Sequence, residues 1–189
     1  MKRYERRIEE KNYVVSVVRA LTDIAVVVAI AIFLFVYFGD NVKIAGTSME
    51  PTFSDEAVLL LDKFTYAYKD AERYDVVAFN IEGSDTVYIK RIIGLPGENV
   101  QIRYGKIYIN GKELKDDVVK DAEKIINAGV YEKEIKLGED EYFVLGDNRN
   151  SSEDSRFTTI GNVKKENIIG KAWLEVTSLD DFGLVNNKE

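Results

Sequence analysis

The chain of 189 residues has no cysteine, no histidine, two prolines and one tryptophan. Without Cys there is no disulfide framework, no thiolate nucleophile and no Cys-ligated zinc, so the fold is indifferent to the redox state of its compartment. An exported domain of this kind suits a bacterium better than a secretory lumen. Without His, the usual base near neutral pH and the usual metal ligand are both missing. Carboxylates remain as the one metal option, for hard cations, and no cofactor site is visible, so neither metal nor cofactor is expected. The net charge is −7, and it is uneven. Residues 1 to 22 carry Lys2, Arg3, Arg6, Arg7, Lys11 and Arg19 against Glu5, Glu9 and Glu10, a balance of +3 that leaves −10 on the rest. An acidic body argues against nucleic acid as a partner.

Long apolar runs are equally scarce, with one exception. From Ala20 to Phe38 only Asp23 is charged, and a helix of that length spans roughly the ~30 Å hydrocarbon core of a bilayer. Within Ile24 to Phe38 eleven residues are Ile, Val, Leu or Phe, each favourable to insertion by about 0.3 to 0.6 kcal/mol, which outweighs one Asp at about 3 kcal/mol. Asp23 also lies one helical turn from Arg19, where the pair can sit at the headgroups. The basic residues precede the helix and Asp40 follows it, so the positive-inside rule puts residues 1–19 in the cytoplasm and the body outside. A removable signal peptide would need small residues at the cut, and Val36-Tyr37-Phe38-Gly39-Asp40 offers no A-x-A pattern. A buried core helix of this length would be unusual in lacking a polar face. The reading is a single uncleaved anchor over 20–38, in contact with the lipid bilayer.

Beyond Gly39 the sequence reads as short strands: Val42 to Ala45, Val58 to Leu61, Asp75 to Phe79, Thr86 to Ile93, Val100 to Arg103, Ile107 to Ile109, Tyr142 to Leu145 and Lys171 to Val176. Asn110-Gly111 between Ile107-Tyr108-Ile109 and Lys112-Glu113-Leu114 predicts a type I′ hairpin. No sustained helical period appears outside the anchor, so the body is mostly β. Residues 112 to 141 are charged and irregular, with Lys115-Asp116-Asp117 and Glu139-Asp140-Glu141, and read as an excursion from the core. The end, Asp180-Asp181 through Glu189, is expected to fray.

Three segments carry chemistry. Gly46-Thr47-Ser48-Met49-Glu50-Pro51-Thr52 sets a hydroxyl in a turn that Pro51 keeps from continuing regularly, although such a heptapeptide alone is an ordinary surface turn in most proteins. Tyr88-Ile89-Lys90-Arg91-Ile92-Ile93-Gly94-Leu95-Pro96-Gly97-Glu98 places a lysine in an otherwise apolar strand, with Tyr88, Lys90 and Ile92 on one face by period-two alternation. Lysine at its reference pKa of ~10.4 cannot accept a serine proton at pH 7, but desolvation among apolar side chains can tune it to ~7 to 8. Left exposed, the same lysine would only blunt a sheet surface. The third segment, Gly146-Asp147-Asn148-Arg149-Asn150-Ser151-Ser152-Glu153-Asp154-Ser155-Arg156, offers hydroxyls to orient a neutral lysine and carboxylates to pair with Arg91, Arg149 or Arg156. It lacks the spacing of a calcium loop.

Together, in this order and after an N-terminal anchor, the three segments resemble the bacterial type I signal peptidases, the membrane-bound Ser/Lys proteases that remove signal peptides from exported proteins. The likeness is to the short, single-anchor Gram-positive form, since only about fifty residues separate Pro96 from Gly146. It implies a β-sheet catalytic core, 40–104 and 140–178, with a small β insertion at 105–139 and a tail at 179–189. It further implies Ser48 as nucleophile, Lys90 as general base and Ser152 as the hydroxyl bonded to the lysine amine. Arg91, Asp154 and Arg156 match structural ion-pair positions. Val42, Ile44, Met49, Tyr88 and Ile89 would line pockets that accept alanine-like residues before the cut, in secretory preproteins delivered by the export translocon. Some members carry a Ser two residues before the nucleophile that donates to the oxyanion. Gly46 stands there in this chain, so a backbone N–H, Ser48's own first, would have to serve. Asn150 stands where the third segment often has Asp.

Three other readings are compatible with parts of this pattern. A related Ser/Lys protease could be dedicated to pilus or conjugation subunits. Self-cleaving repressor proteases share the dyad, but are soluble and need a DNA-binding partner, against the anchor and the acidic charge. A catalytically inactive anchored homologue would act as a binding module, against which the intact Ser48, Lys90 and Ser152 weigh.

Overall fold

The computed structural model describes residues 2–38, 40–115, 118–119, 124–177 and 182–185. It divides into two units, Met1–Gly39 and Asp40–Glu189. The first is one helix, α1 (Lys2–Phe38), 37 residues long. Within it Val15–Phe33 is long and apolar enough to cross a membrane, with none of that stretch buried inside the protein. This span overlaps the expected 20–38 and begins a turn earlier. Of the calls made from sequence, Asp116, Asp117, Asp180, Asp181 and 186–189 lie outside the described residues.

The second unit is built of antiparallel strands. The main sheet takes β1 (Asp40–Lys43), β2 (Val58–Asp62), β3 (Val76–Asn80), β4 (Val87–Gly94), β9 (Glu141–Leu145), β10 (Val163–Lys164) and β11 (Ile168–Glu175), in the order β1-β2-β11-β3-β4-β9-β10, with β12 (Gly183–Leu184) added to β11. A smaller sheet takes β5 (Asn99–Arg103), β6 (Lys106–Ile109), β7 (Lys112–Glu113) and β8 (Ile135–Lys136), in the order β7-β6-β5-β8. The strand Asn99–Arg103, assigned from sequence to the core segment 40–104, therefore pairs inside the small sheet. A single helical turn, α2 (Thr65–Tyr68), lies between β2 and β3. Asp62 starts it by accepting from the N–H groups of Phe64 and Thr65.

Alternation along β3 explains why its sequence is apolar from Val76 to Phe79. Val76 and Ala78 join one buried cluster with Ile44, Met49, Phe53, Leu59, Leu61, Ile89 and Ala172. Val77 and Phe79 join another, on the opposite face, with Ile92, Tyr142, Val144 and Val163. A strand covered on both sides has no polar face to offer. The third cluster holds the small sheet against the main one: Ile93, Phe143 and Leu145 pack with Val100, Ile102, Ile107, Ile109, Tyr131 and Leu137. The β6–β7 turn is the expected hairpin, since Asn110 and Gly111 both have positive φ (50° and 76°) and Ile109 pairs with Lys112. Tyr104 and Gly105, at 54° and 76°, make a second turn of the same kind between β5 and β6, and type I′ geometry needs positive φ at both central positions.

Candidate active site

Ser48 lies in the turn between β1 and β2, and Lys90 lies on β4. The Lys90 amine is 2.8 Å from Ser48 Oγ and donates also to the Ile89 carbonyl at 3.1 Å. Lys90 is only 4 % exposed, and its cross-strand partner Val77 is fully buried. Burial therefore pushes the lysine pKa below its ordinary 10.5, opposed by the negative charges of Asp154, Asp147 and Glu153. Desolvation wins because the amine is held within the protein while the carboxylates satisfy other partners.

Two buried ion pairs frame this contact. Arg91 grips Asp147 with two bonds, Nε to Oδ1 at 2.8 Å and Nη2 to Oδ2 at 2.6 Å. Thr52 Oγ1 adds a bond of 2.6 Å to the same Oδ2, so one carboxylate ties the Ser48 turn, β4 and the loop after β9 together. Arg156 grips Asp154 in the same way, at 2.7 and 2.8 Å, and Asp154 accepts the Gly146 N–H at 3.1 Å. Asn148 completes the tie by donating its N–H to the Ser48 carbonyl and its side-chain amide to the Thr47 carbonyl. The sequence singled out Arg91, Asp154 and Arg156 but not Asp147 or Thr52. The signal available for Asp147 was its place in a segment whose three acids could pair with Arg91, Arg149 or Arg156.

Ser152 differs from expectation. Its Oγ is buried and has no hydrogen-bond partner among the described residues, so the bond to the Lys90 amine is not formed in this structure. The hydroxyl packs onto Gly146, where an added Cβ would lie 2.1 Å from Ser152 Oγ and 2.5 Å from the Ser48 carbonyl oxygen. Of the expected pocket residues, Ile44, Met49 and Ile89 share one cluster, with Val42 packed against it. Tyr88 does not join them: it stacks on Phe79 on the other face, ring centres 5.8 Å apart. The reason is alternation, which turns Tyr88 away from its neighbour Ile89. Gly46 has φ +87° and gives its N–H to Asp55 at 2.7 Å. That spends its donor, while among the described residues no acceptor is found for the Ser48 N–H. The described residues gather no group of three or more Asp or Glu that could hold a metal. A cavity of about 710 Å³ lies elsewhere, between Gln101–Gly105 and Ile125–Gly129.

A family model described as signal peptidase, peptidase S26, matches residues 17–177. The chain belongs to this family. It is 36% identical over 170 residues to a probable signal peptidase I-2 of Synechocystis, covering 86% of this chain and 73% of that one. It is 37% identical over 158 residues to signal peptidase I V of Bacillus subtilis, covering 78% and 90%. Signal peptidase I P of Bacillus subtilis subsp. natto is 30% identical over 182 residues, covering 94% and 96%. Family membership brings the activity with it: the chain has signal peptidase I function and is a serine endopeptidase.

Proposed function

We propose that this signal peptidase uses Ser48 as its nucleophile and Lys90 as its general base, and that it cuts signal peptides from secretory preproteins after small residues. The observation that carries the reading is the 2.8 Å contact between Ser48 Oγ and a buried lysine amine. Neutral Lys90 takes the hydroxyl proton as Ser48 Oγ attacks the scissile carbonyl, then returns it to the departing amine. Water, activated by the same lysine, releases the acyl group. The Ser48 N–H, without an acceptor of its own, is the donor for the oxyanion. Ser152 supports the amine by turning its unpaired hydroxyl toward Lys90, which its place against Gly146 favours.

The preprotein lies extended beside β4. Strand β9 pairs with β4 only from Arg91 onward, so among the described residues the edge of residues 87–90 that faces away from β3 has no strand beside it. An extended peptide can add there through backbone hydrogen bonds, with Ile44, Met49 and Ile89 beneath its side chains and Val42 at the margin. Helix α1 is the membrane anchor through its apolar stretch Val15–Phe33, and by the positive-inside rule the basic residues of its first half favour an N-terminus in the cytoplasm, with the catalytic unit outside.

The test is cleavage of a signal-bearing precursor by the detergent-solubilised protein, with the cut site mapped. Ser48→Ala and Lys90→Met are each expected to abolish cleavage while leaving the circular dichroism spectrum unchanged. A Lys90→Met protein that still processes precursors refutes the base assignment.

A further inference from the structure

Asn150 lies in the loop that carries Ser152, and its side chain reaches out of the loop to a segment that sequence analysis assigned to the insertion. Its Nδ2 donates to the Lys124 carbonyl at 3.1 Å, and its Oδ1 accepts the Ile126 N–H at 3.0 Å. A side-chain amide set between a carbonyl and an N–H two residues apart reproduces one rung of a strand pairing. The backbone dictates its orientation, because the reversed amide would set oxygen against oxygen and N–H against N–H.

The residue between these two contacts anchors the segment on its other side. Ile125 is buried in the cluster that joins the two sheets, and its N–H bonds to the Gly105 carbonyl at the β5–β6 turn. Two residues further on, the Asn127 carbonyl accepts from Arg156 Nη1 at 3.1 Å, and the Val130 N–H bonds to the Arg156 carbonyl at 3.0 Å. Gly129 fits against that carbonyl so closely that a Cβ would come within 2.1 Å of the oxygen. Residues 124–130 thus hold the catalytic loop at both ends of the stretch 150–156, with Ser152 and Asp154 between.

We infer that Asn150 is a positioning residue, through which segment 124–130 keeps the Ser152 loop in register with Ser48 and Lys90. This deepens the proposed function and rests on its Ser48–Lys90 reading. It also explains why an amide stands where the motif often has a carboxylate. Aspartate would keep the acceptor for Ile126 N–H but would turn a second oxygen toward the Lys124 carbonyl, losing one bond and adding a repulsion.

The full chain in detergent tests this, with kcat and KM for a signal-bearing precursor measured separately for wild type, Asn150→Asp, Asn150→Ala and Ser48→Ala. Both Asn150 variants are expected to lose about tenfold or more in kcat with KM changed by less than about twofold, the pattern of misplaced catalytic groups. A second measurement separates the contact from general destabilisation. The gap in Tm between wild type and Asn150→Asp should narrow as pH falls toward ~4, because a protonated carboxyl can again donate to the Lys124 carbonyl. The gap for Asn150→Ala should stay constant. Unchanged kcat in both variants, with Ser48→Ala inactive, overturns the positioning role alone, as does an Asn150→Asp gap that ignores pH. An active Ser48→Ala overturns the dyad and the positioning role with it.

Discussion

A buried lysine whose amine bonds no carboxylate among the described residues makes the protein less stable than a neutral side chain in its place would. Desolvation lowers the Lys90 pKa in the folded state, so between that value and 10.5 the unfolded chain holds a proton that the folded chain does not. Wild-type stability therefore falls as pH falls through this window and levels off below the folded value. In Lys90→Met that dependence is gone. The Tm of the variant relative to wild type should rise as pH is lowered from above 10.5, then become constant, as followed by calorimetry across the alkaline range. A difference independent of pH would mean that the fold leaves the pKa of the amine where the unfolded chain has it. The meeting of Ser48 and Lys90 was legible in the sequence because the missing His and Cys left few other partners to propose for the hydroxyl. Thr52 and Asp147 were not legible, since their contact closes a separation of 95 residues that no local pattern encodes. The Ser152 bond came from resemblance alone, and the structure leaves that hydroxyl packed on Gly146.

Strands with an apolar run of four or more residues were readable, because burial on both faces writes itself as continuous Val, Ile and Phe. Strands β8, β10 and β12 have two residues each and exist only because a longer strand lies beside them. Strand β5 shows the limit in another way: its sequence declares a strand, but not the sheet it joins. That choice is made by the second of the two tight hairpin turns and by the cluster around Phe143. Phe143 is fully buried and lies against Tyr131 with ring centres 4.2 Å apart. Phe143→Ala is expected to cost about 3 to 5 kcal/mol of unfolding free energy, the usual range for an emptied aromatic site. Urea denaturation of the variant measures it, and a loss under about 1 kcal/mol would mean that the two sheets do not depend on this contact.

At the scale of the whole molecule, the order of strands in the main sheet separates the two halves of the proposed catalytic pair. The Ser48 turn belongs to the β1–β2 hairpin and Lys90 to the β3–β4 hairpin, and neither hairpin pairs with the other. Strand β11 lies between them, bonded to β2 on one side and β3 on the other. A chain ending at Asn167 should be digested rapidly by an added protease and should cleave no precursor, and a resistant, active truncation would show that the hairpins can dock unaided. The same arrangement sets a timetable for biogenesis. As the polypeptide emerges in order from the ribosome, both residues of the proposed pair appear early, and the strand that bridges their hairpins, β11, comes after both.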